Sequence, residues 1–509
     1  MKQLGTVAYR AAPDALAAQP PLRRFAGPWS LWALGVSVVI TGEFSGWNTG
    51  LTVGGFGGLL IATIVITVMY LALAFSLAEM SAAMPFTGGA YGFARAALGP
   101  HGACVAGLAQ VIEYVLSAAA VGVVLGSYID AYVASITGID LPDPVFWGLL
   151  YVLFVGLNIH GAATTFRVAI VLAILALAAL AVFWVLALPA FDIDLALDVP
   201  VKPGGTTWLP NGLIGIAWAI PFAMWFYLAI EAVPLAAEES ARPQHGVPRG
   251  LAWGVGTLVV AALLTLVLNS AVPPGAAKIG ATNEPLLAGL SGILGGQINT
   301  GLLVLIGIAG QAGSFHAMIY AYGRSIFAMA RAGYLPPALA TVHQGRRTPH
   351  LALMLGGAVG LAVTLIAKLA PQGVPLEAML ISMSAFAAII SYILQMLAFT
   401  RLRRRYADLP RPYVSPLGAT GAVTALVIAM AALLFMFLDP TLRAGMFGCA
   451  AVIAAGLAYF LLFARHRLIR SPEEIFALAQ SGHERDALDF KGEAAAAAAP
   501  ARSEVRAHG

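Results

Sequence analysis

Twelve apolar stretches alternate with shorter polar segments along the chain, near residues 29–53, 57–83, 102–134, 145–159, 166–189, 211–237, 250–271, 298–330, 351–369, 376–399, 416–438 and 442–464. Most reach the roughly 20 residues a helix needs to cross the hydrocarbon of a bilayer. The fourth is short, and the third and eighth are long enough to tilt steeply. The first stretch breaks its own pattern at Thr41-Gly42-Glu43-Phe44-Ser45-Gly46. A mid-bilayer charge costs at least about 2.5 kcal/mol, and glycine costs about 1 kcal/mol against alanine inside a helix. Local unwinding around a protein-lined cavity accounts for both, so the pattern predicts a broken helix with a ligand at the break.

The sixth stretch repeats the anomaly. Pro221 and Pro234 bracket Trp225-Phe226-Tyr227-Leu228-Ala229-Ile230-Glu231, and each proline removes a helix donor and crowds the preceding turn. Interruptions in stretches 1 and 6 predict two five-helix halves of inverted topology, with the ligand between the broken helices. The expected fold is therefore all-α and membrane-embedded: twelve transmembrane helices, arranged as a 5+5 inverted repeat with helices 1 and 6 broken, plus two further C-terminal helices.

Composition agrees with a polytopic membrane protein. Of 509 residues, 60% are hydrophobic and 10% charged, with a mean hydropathy of +0.85. The net charge of +4 is too small and dispersed to point to nucleic acid. Positive charge sets the orientation. With the N-terminus inside, 20 of the Lys and Arg residues up to Arg470 face the cytoplasm and four face outward, namely Lys202, Lys278, Lys368 and Arg443. The prediction is a multi-pass protein of the cell (inner) membrane with both termini cytoplasmic. Residues 1–27 lack an apolar core, so they read as a cytoplasmic tail and the first span as the insertion signal. Residues 28–464 read as one twelve-helix domain, of the kind in which paired broken helices make a transporter. Residues 465–509 read as a second cytoplasmic tail, a frayed helix passing into a largely disordered segment around Ala494–Ala499. Cys104 and Cys449 imply neither a disulfide framework nor a metal site, and no cofactor is expected.

Other spans carry polar faces. Gln110, Glu113, Tyr114 and Ser117 fall at i, i+3, i+4 and i+7 on one face of span 3. Gln311, Ser314, Phe315 and Met318 repeat that spacing in span 8, with His316 alongside. Span 10 carries Ser382, Ser384, Ser391 and Gln395. Interhelical hydrogen bonding is the ordinary use of such serines. An intramembrane carboxylate such as Glu113 usually faces a cavity or a partner. Glu79, near the cytoplasmic end of span 2, reads as a gate or packing contact, the Arg401–Arg405 run as a topology anchor, and His316 as a structural histidine.

Five segments carry a family resemblance. Met84-Pro85-Phe86-Thr87-Gly88-Gly89-Ala90-Tyr91-Gly92-Phe93 and Glu238-Glu239-Ser240-Ala241-Arg242-Pro243 resemble the loops after spans 2 and 6 of amino acid–polyamine–organocation permeases. Ile40–Asn48, Trp225–Glu231 and Ser314–Arg324 resemble the ethanolamine permease branch. The resemblance implies the 5+5 fold and secondary transport that is often proton-coupled, by symport. Amino acid members typically place a small Gly-Ser/Thr-Gly break in span 1, where backbone amides receive the substrate carboxylate. Here Glu43 occupies that break. Those relatives often carry a glycine two residues before the span 6 glutamate, where this chain has Ala229.

The combined reading is importation of a small primary amine, ethanolamine foremost, with protons as co-partner. The ammonium is expected at the end of the first half-helix, where free carbonyls favour a cation. Glu43 is the expected charge partner and Glu113 the second candidate. Trp225, Phe226 or Tyr227 supplies a cation–π face, and Ser45, Tyr114, Ser314 or Gln311 receives the hydroxyl. Gly42 and Gly46 let the break flex. Thr41, Phe44, Gln110, Ser117 and Glu231 complete the predicted site. A neutral or cationic amino acid permease is the alternative. The sequence contains no metal-ligand cluster, nucleophile–base motif or phosphate loop, which argues against a membrane enzyme.

Overall fold

The computed structural model describes residues 7–10, 20–138, 141–295, 300–369, 376–438 and 440–480. Its helices are α1 (Pro28–Val39), α2 (Thr41–Phe44), α3 (Thr49–Ala83), α4 (Gly89–Thr137), α5 (Asp143–His160), α6 (Ala162–Ala187), α7 (Ile193–Ala196) and α8 (Ile214–Trp225). A ten-residue 3-10 segment, Ile230–Glu239, precedes α9 (Pro243–Ser270), α10 (Ala276–Ala281), α11 (Pro285–Leu294) and α12 (Thr300–Arg331). Then come α13 (His350–Lys368), α14 (Leu376–Arg405), α15 (Gly418–Leu438), α16 (Pro440–Leu462) and α17 (Pro472–Gln480). Among the described residues, ten helices are long and apolar enough to cross a membrane.

The first apolar stretch is not one of those ten, because it is broken. α1 starts at Pro28, where a missing N–H costs nothing, and ends at Val39. α2 adds one turn, Ser45 is extended, and Gly46 lies at φ 91°. The remainder runs into the second stretch, kinked at Gly55 with φ 66°. The sixth stretch breaks as well: α8 ends at Trp225, and Ala229 sits at φ 79° before the 3-10 segment. The third stretch begins earlier than hydropathy suggests, because residues 89–98 form a helix ahead of Gly99, at φ 82°.

α1 packs on α9, α3 on α8, and α4 on both α12 and α14, so the broken segments lie inside the bundle. Outward faces are apolar: Val152, Val171, Val185, Val427 and Leu434 are more than half exposed. That is the surface a helix presents to lipid.

The C-terminal segment departs from the expected tail. Leu468–Ile469 pairs in parallel with Tyr9–Arg10, a two-stranded exception to the all-α reading. α17 docks on α4, with Glu474 fully buried. Arg95 Nε donates to Glu474 at 2.5 Å and the Tyr9 hydroxyl at 3.0 Å. Burial pushes the Glu474 carboxyl above the usual carboxylate range, against the pull of Arg95. Residues 465–480 are thus folded because buried charge partners await them; the expected disorder beyond, with the alanine run, lies outside the described residues.

Candidate functional site

Glu113 of α4 and Glu231 of the 3-10 segment, both fully buried, meet between the broken helices. The break in the sixth stretch turns Glu231 inward, and the polar face of α4 brings Glu113 opposite. The two carboxyls share one hydroxyl neighbour, Tyr392. Tyr392 of α14 stands over both, its hydroxyl 3.0 Å from Glu231 Oε2 and 3.3 Å from Glu113 Oε1. The Tyr114 hydroxyl donates to Glu231 Oε1 at 3.1 Å and receives Gln110 Nε2 at 3.2 Å. Tyr70 of α3 donates to Tyr392 at 3.3 Å. Among the described residues no Lys, Arg or His forms a salt bridge with either carboxyl. Two full negative charges about 4 Å apart repel by roughly 4 kcal/mol at an effective dielectric of 20, so this pair calls for a cation or a proton.

The break in the first stretch forms a second polar group, held mainly by α12. Ser314 Oγ receives the Thr41 amide at 2.9 Å and donates to the Ser37 carbonyl at 2.7 Å. Gln311 Nε2 donates to Ser45 Oγ at 3.0 Å, and its carbonyl oxygen accepts from the Thr41 hydroxyl. The Gly46 amide donates to Asn48 Oδ1 at 3.2 Å. Gly42 abuts the Trp225 carbonyl so closely that no side chain fits, and a Cβ on Gly46 would come within 2.5 Å of the Trp225 indole. The Thr41 and Gly46 amides are thus occupied by side chains rather than free to receive a carboxylate, and the two breaks are packed against each other.

Several predicted residues fall outside the acidic pair. Glu43 is fully buried on the side of Thr265 of α9, whose hydroxyl receives the Trp184 indole at 3.1 Å, but neither Glu43 carboxyl oxygen has a hydrogen-bond partner among the described residues. It belongs to a different polar group from Glu113, because one turn of α2 rotates it to the α9 side. Phe44 packs on Gly310. Ser117 meets Ser384 at 2.5 Å, an interhelical bond, and Ser384 in turn donates to the Glu113 carbonyl at 3.1 Å. Phe226 stacks on Trp47, and Tyr227 bonds Thr67 at 2.6 Å with its ring against Tyr70. His316 sits between Asn158 and the Thr165 carbonyl. Glu79 is held by Arg403 at 2.6 Å and by Arg411 at 3.1 Å.

Tyr70 and Tyr392 are the members that sequence reading missed. A tyrosine in an apolar span disturbs no hydropathy pattern, so their only signal is a hydroxyl needing a partner.

A cavity of about 850 Å³ opens at one end of the bundle, lined by Gly46, Asn48, Val123, Ser127, Phe222 and Glu284 among others. From Glu113 to Val123, α4 rises roughly 15 Å, so the cavity is a vestibule above the acidic pair. At the opposite end, Arg324 is paired with Glu239 at 2.6 Å, both fully buried. Arg331 binds Glu238 at 2.7 Å and also Glu473. These pairs join α12 to the end of the sixth stretch and close that side.

Comparison with known proteins agrees with this architecture. The amino acid permease family matches residues 27–470. An uncharacterised transporter of Rhizobium meliloti is 28% identical over 463 residues, covering 89% of this chain and 94% of that protein. The branched-chain amino acid permease of Bacillus subtilis is 27% identical, covering 79% and 86%. The methylthioribose transporter of the same organism is 26% identical, covering 88% and 95%. The chain belongs to the amino acid permease family, membrane transporters of the amino acid–polyamine–organocation superfamily.

Proposed function

We propose that this transporter imports a small primary amine, ethanolamine foremost, across the cell (inner) membrane by proton-coupled alternating access. In this reading the chain crosses the membrane twelve times, as two inverted five-helix repeats and two added helices, with both termini cytoplasmic. The observation that carries the substrate assignment is the buried Glu113–Glu231 pair, to which no Lys, Arg or His of the described residues is bridged. A substrate ammonium supplies the missing charge, and the Tyr114 and Tyr392 hydroxyls orient the carboxyls that receive it. Glu113 and Glu231 thus take the role first expected of Glu43. The vestibule is the outward entry and the Arg324–Glu239 and Arg331–Glu238 pairs are the closed inner gate.

The occupied amides at Thr41 and Gly46 favour an amine without a carboxylate. A neutral or cationic amino acid substrate is the second reading, supported by the names of the branched-chain permease and of a vacuolar cationic amino acid transporter of Arabidopsis thaliana that is 25% identical. Uptake of labelled ethanolamine into proteoliposomes, competed with alanine and with arginine, tests between them. Competition by unlabelled ethanolamine alone supports the amine reading. Transport of alanine or arginine without ethanolamine overturns it.

A further inference from the structure

We propose that the Glu113–Glu231 pair holds one proton when no amine is bound, and that the substrate ammonium displaces this proton, so amine is exchanged for a proton rather than carried with one. The proposal rests on the pair being the amine site.

Counting protons on the hydroxyl of Tyr392 leads to it. A phenol has one proton to donate and two lone pairs to accept with. Tyr392 Oη touches Glu113 Oε1, Glu231 Oε2 and the Tyr70 hydroxyl, at 3.3, 3.0 and 3.3 Å. Tyr70 fills one acceptor site. If both carboxyls were ionised, Tyr392 could serve only one of them and the other contact would oppose two oxygens with no hydrogen between. One proton on the carboxyl pair turns both contacts into hydrogen bonds. Glu113 Oε2, buried with no hydrogen-bond donor of its own, is left as an acceptor for a ligand.

Among the described residues, no Lys, Arg or His on the elements packed around the pair forms an ion pair with it. On α3, Tyr70 donates to Tyr392, and Glu79 is held by Arg403 and Arg411. On α4, Tyr114 donates to Glu231 and Arg95 is bound to Glu474. On α12, His316 is turned to Asn158 and Thr165, while Arg324 and Arg331 hold Glu239 and Glu238. On α14, Tyr392 is the titratable group at the pair, and the arginines lie at the far end of the helix. The cation that replaces the proton therefore comes from the ligand.

The step balances. Empty, the pair is one carboxylic acid and one carboxylate, with charge −1. As R–NH3+ enters, the acid O–H bond breaks, its electron pair stays on the carboxylate, and the proton leaves to water in the vestibule. The loaded site is two carboxylates and one ammonium, again with charge −1. The site returns with the same charge it carried inward, so the cycle is an electroneutral one-for-one exchange.

The test uses the purified full-length chain. Equilibrium binding of labelled ethanolamine at one fixed pH checks the amine reading by itself, and absence of binding sinks that reading. The pH dependence of the binding then tests the inference. Release of one proton per amine means that the dissociation constant rises about tenfold per pH unit on the acid side. Binding that tightens with acid, or that does not change with pH, overturns exchange. In proteoliposomes, initial uptake rates corrected for protein-free vesicles are expected to rise with an inside-acid gradient and to ignore a potassium diffusion potential. Uptake driven by an outside-acid gradient, or by an inside-negative potential, also overturns it. Glu113→Gln, which fixes a neutral partner beside Glu231, is expected to weaken binding and to remove the pH dependence of what remains. Retained pH dependence in a folded Glu113→Gln and a folded Glu231→Gln would place the exchanged proton elsewhere and overturn the assignment.

Discussion

The hydroxyl of Tyr392 donates to Glu231 Oε2 at 3.0 Å, across 161 residues of sequence. That bond joins α14 to the segment that follows the break in the sixth stretch, so the orientation of the acidic group depends on a helix from the far end of the chain. Tyr392→Phe removes the hydroxyl and keeps the ring. It is expected to weaken ethanolamine binding by roughly tenfold, about 1.5 kcal/mol for a hydrogen bond to a charged group. Binding unchanged in the folded variant would remove Tyr392 from the site.

Glu43 and Glu231 are both fully buried, yet only Glu231 has the paired carboxyl and the tyrosine donors. Glu231→Gln is therefore expected to reduce ethanolamine uptake at least tenfold more than Glu43→Gln. The measurement is initial uptake by variants of matched folded content. A larger loss from Glu43→Gln, with altered discrimination between ethanolamine and alanine, would return the ammonium to the first break.

Ala229 holds φ 79°, a left-handed backbone that costs an L-residue with a Cβ roughly 1–2 kcal/mol. Ala229→Gly is expected to relieve that strain and raise stability by about 1 kcal/mol, read as a higher melting temperature in detergent. A lower melting temperature would mean that the methyl packing of this fully buried residue outweighs the strain.

Glu474 and Arg95 form a buried ion pair that anchors α17 to the helix after the second stretch. Removing one partner leaves the other charge stranded, so Glu474→Ala and Arg95→Ala are each expected to destabilise by about 3 kcal/mol. The double variant should lose clearly less than the sum. A double-variant cycle on thermal unfolding checks this, and additive losses would show the two residues acting independently.

The order of apolar stretches, the interruptions at Thr41–Gly46 and Trp225–Ile230, and the membrane class were legible in the sequence, because insertion energy acts on each stretch where it stands. A glycine or carboxylate inside an apolar run is anomalous whatever surrounds it. The docking of residues 465–480 was not legible for the converse reason: nothing local marks Glu473 and Glu474 as buried, and their partners Arg331 and Arg95 come from distant segments. The polar face of α4 could be read from spacing alone, but not what it faces. Whether Glu113 meets Glu43 or Glu231 depends on how far each helix is rotated about its axis, and packing between distant segments sets that rotation. Tyr70 and Tyr392 entered the site in the same way. Local chemistry determined where the chain had to break, and tertiary packing decided which carboxyls the breaks bring together.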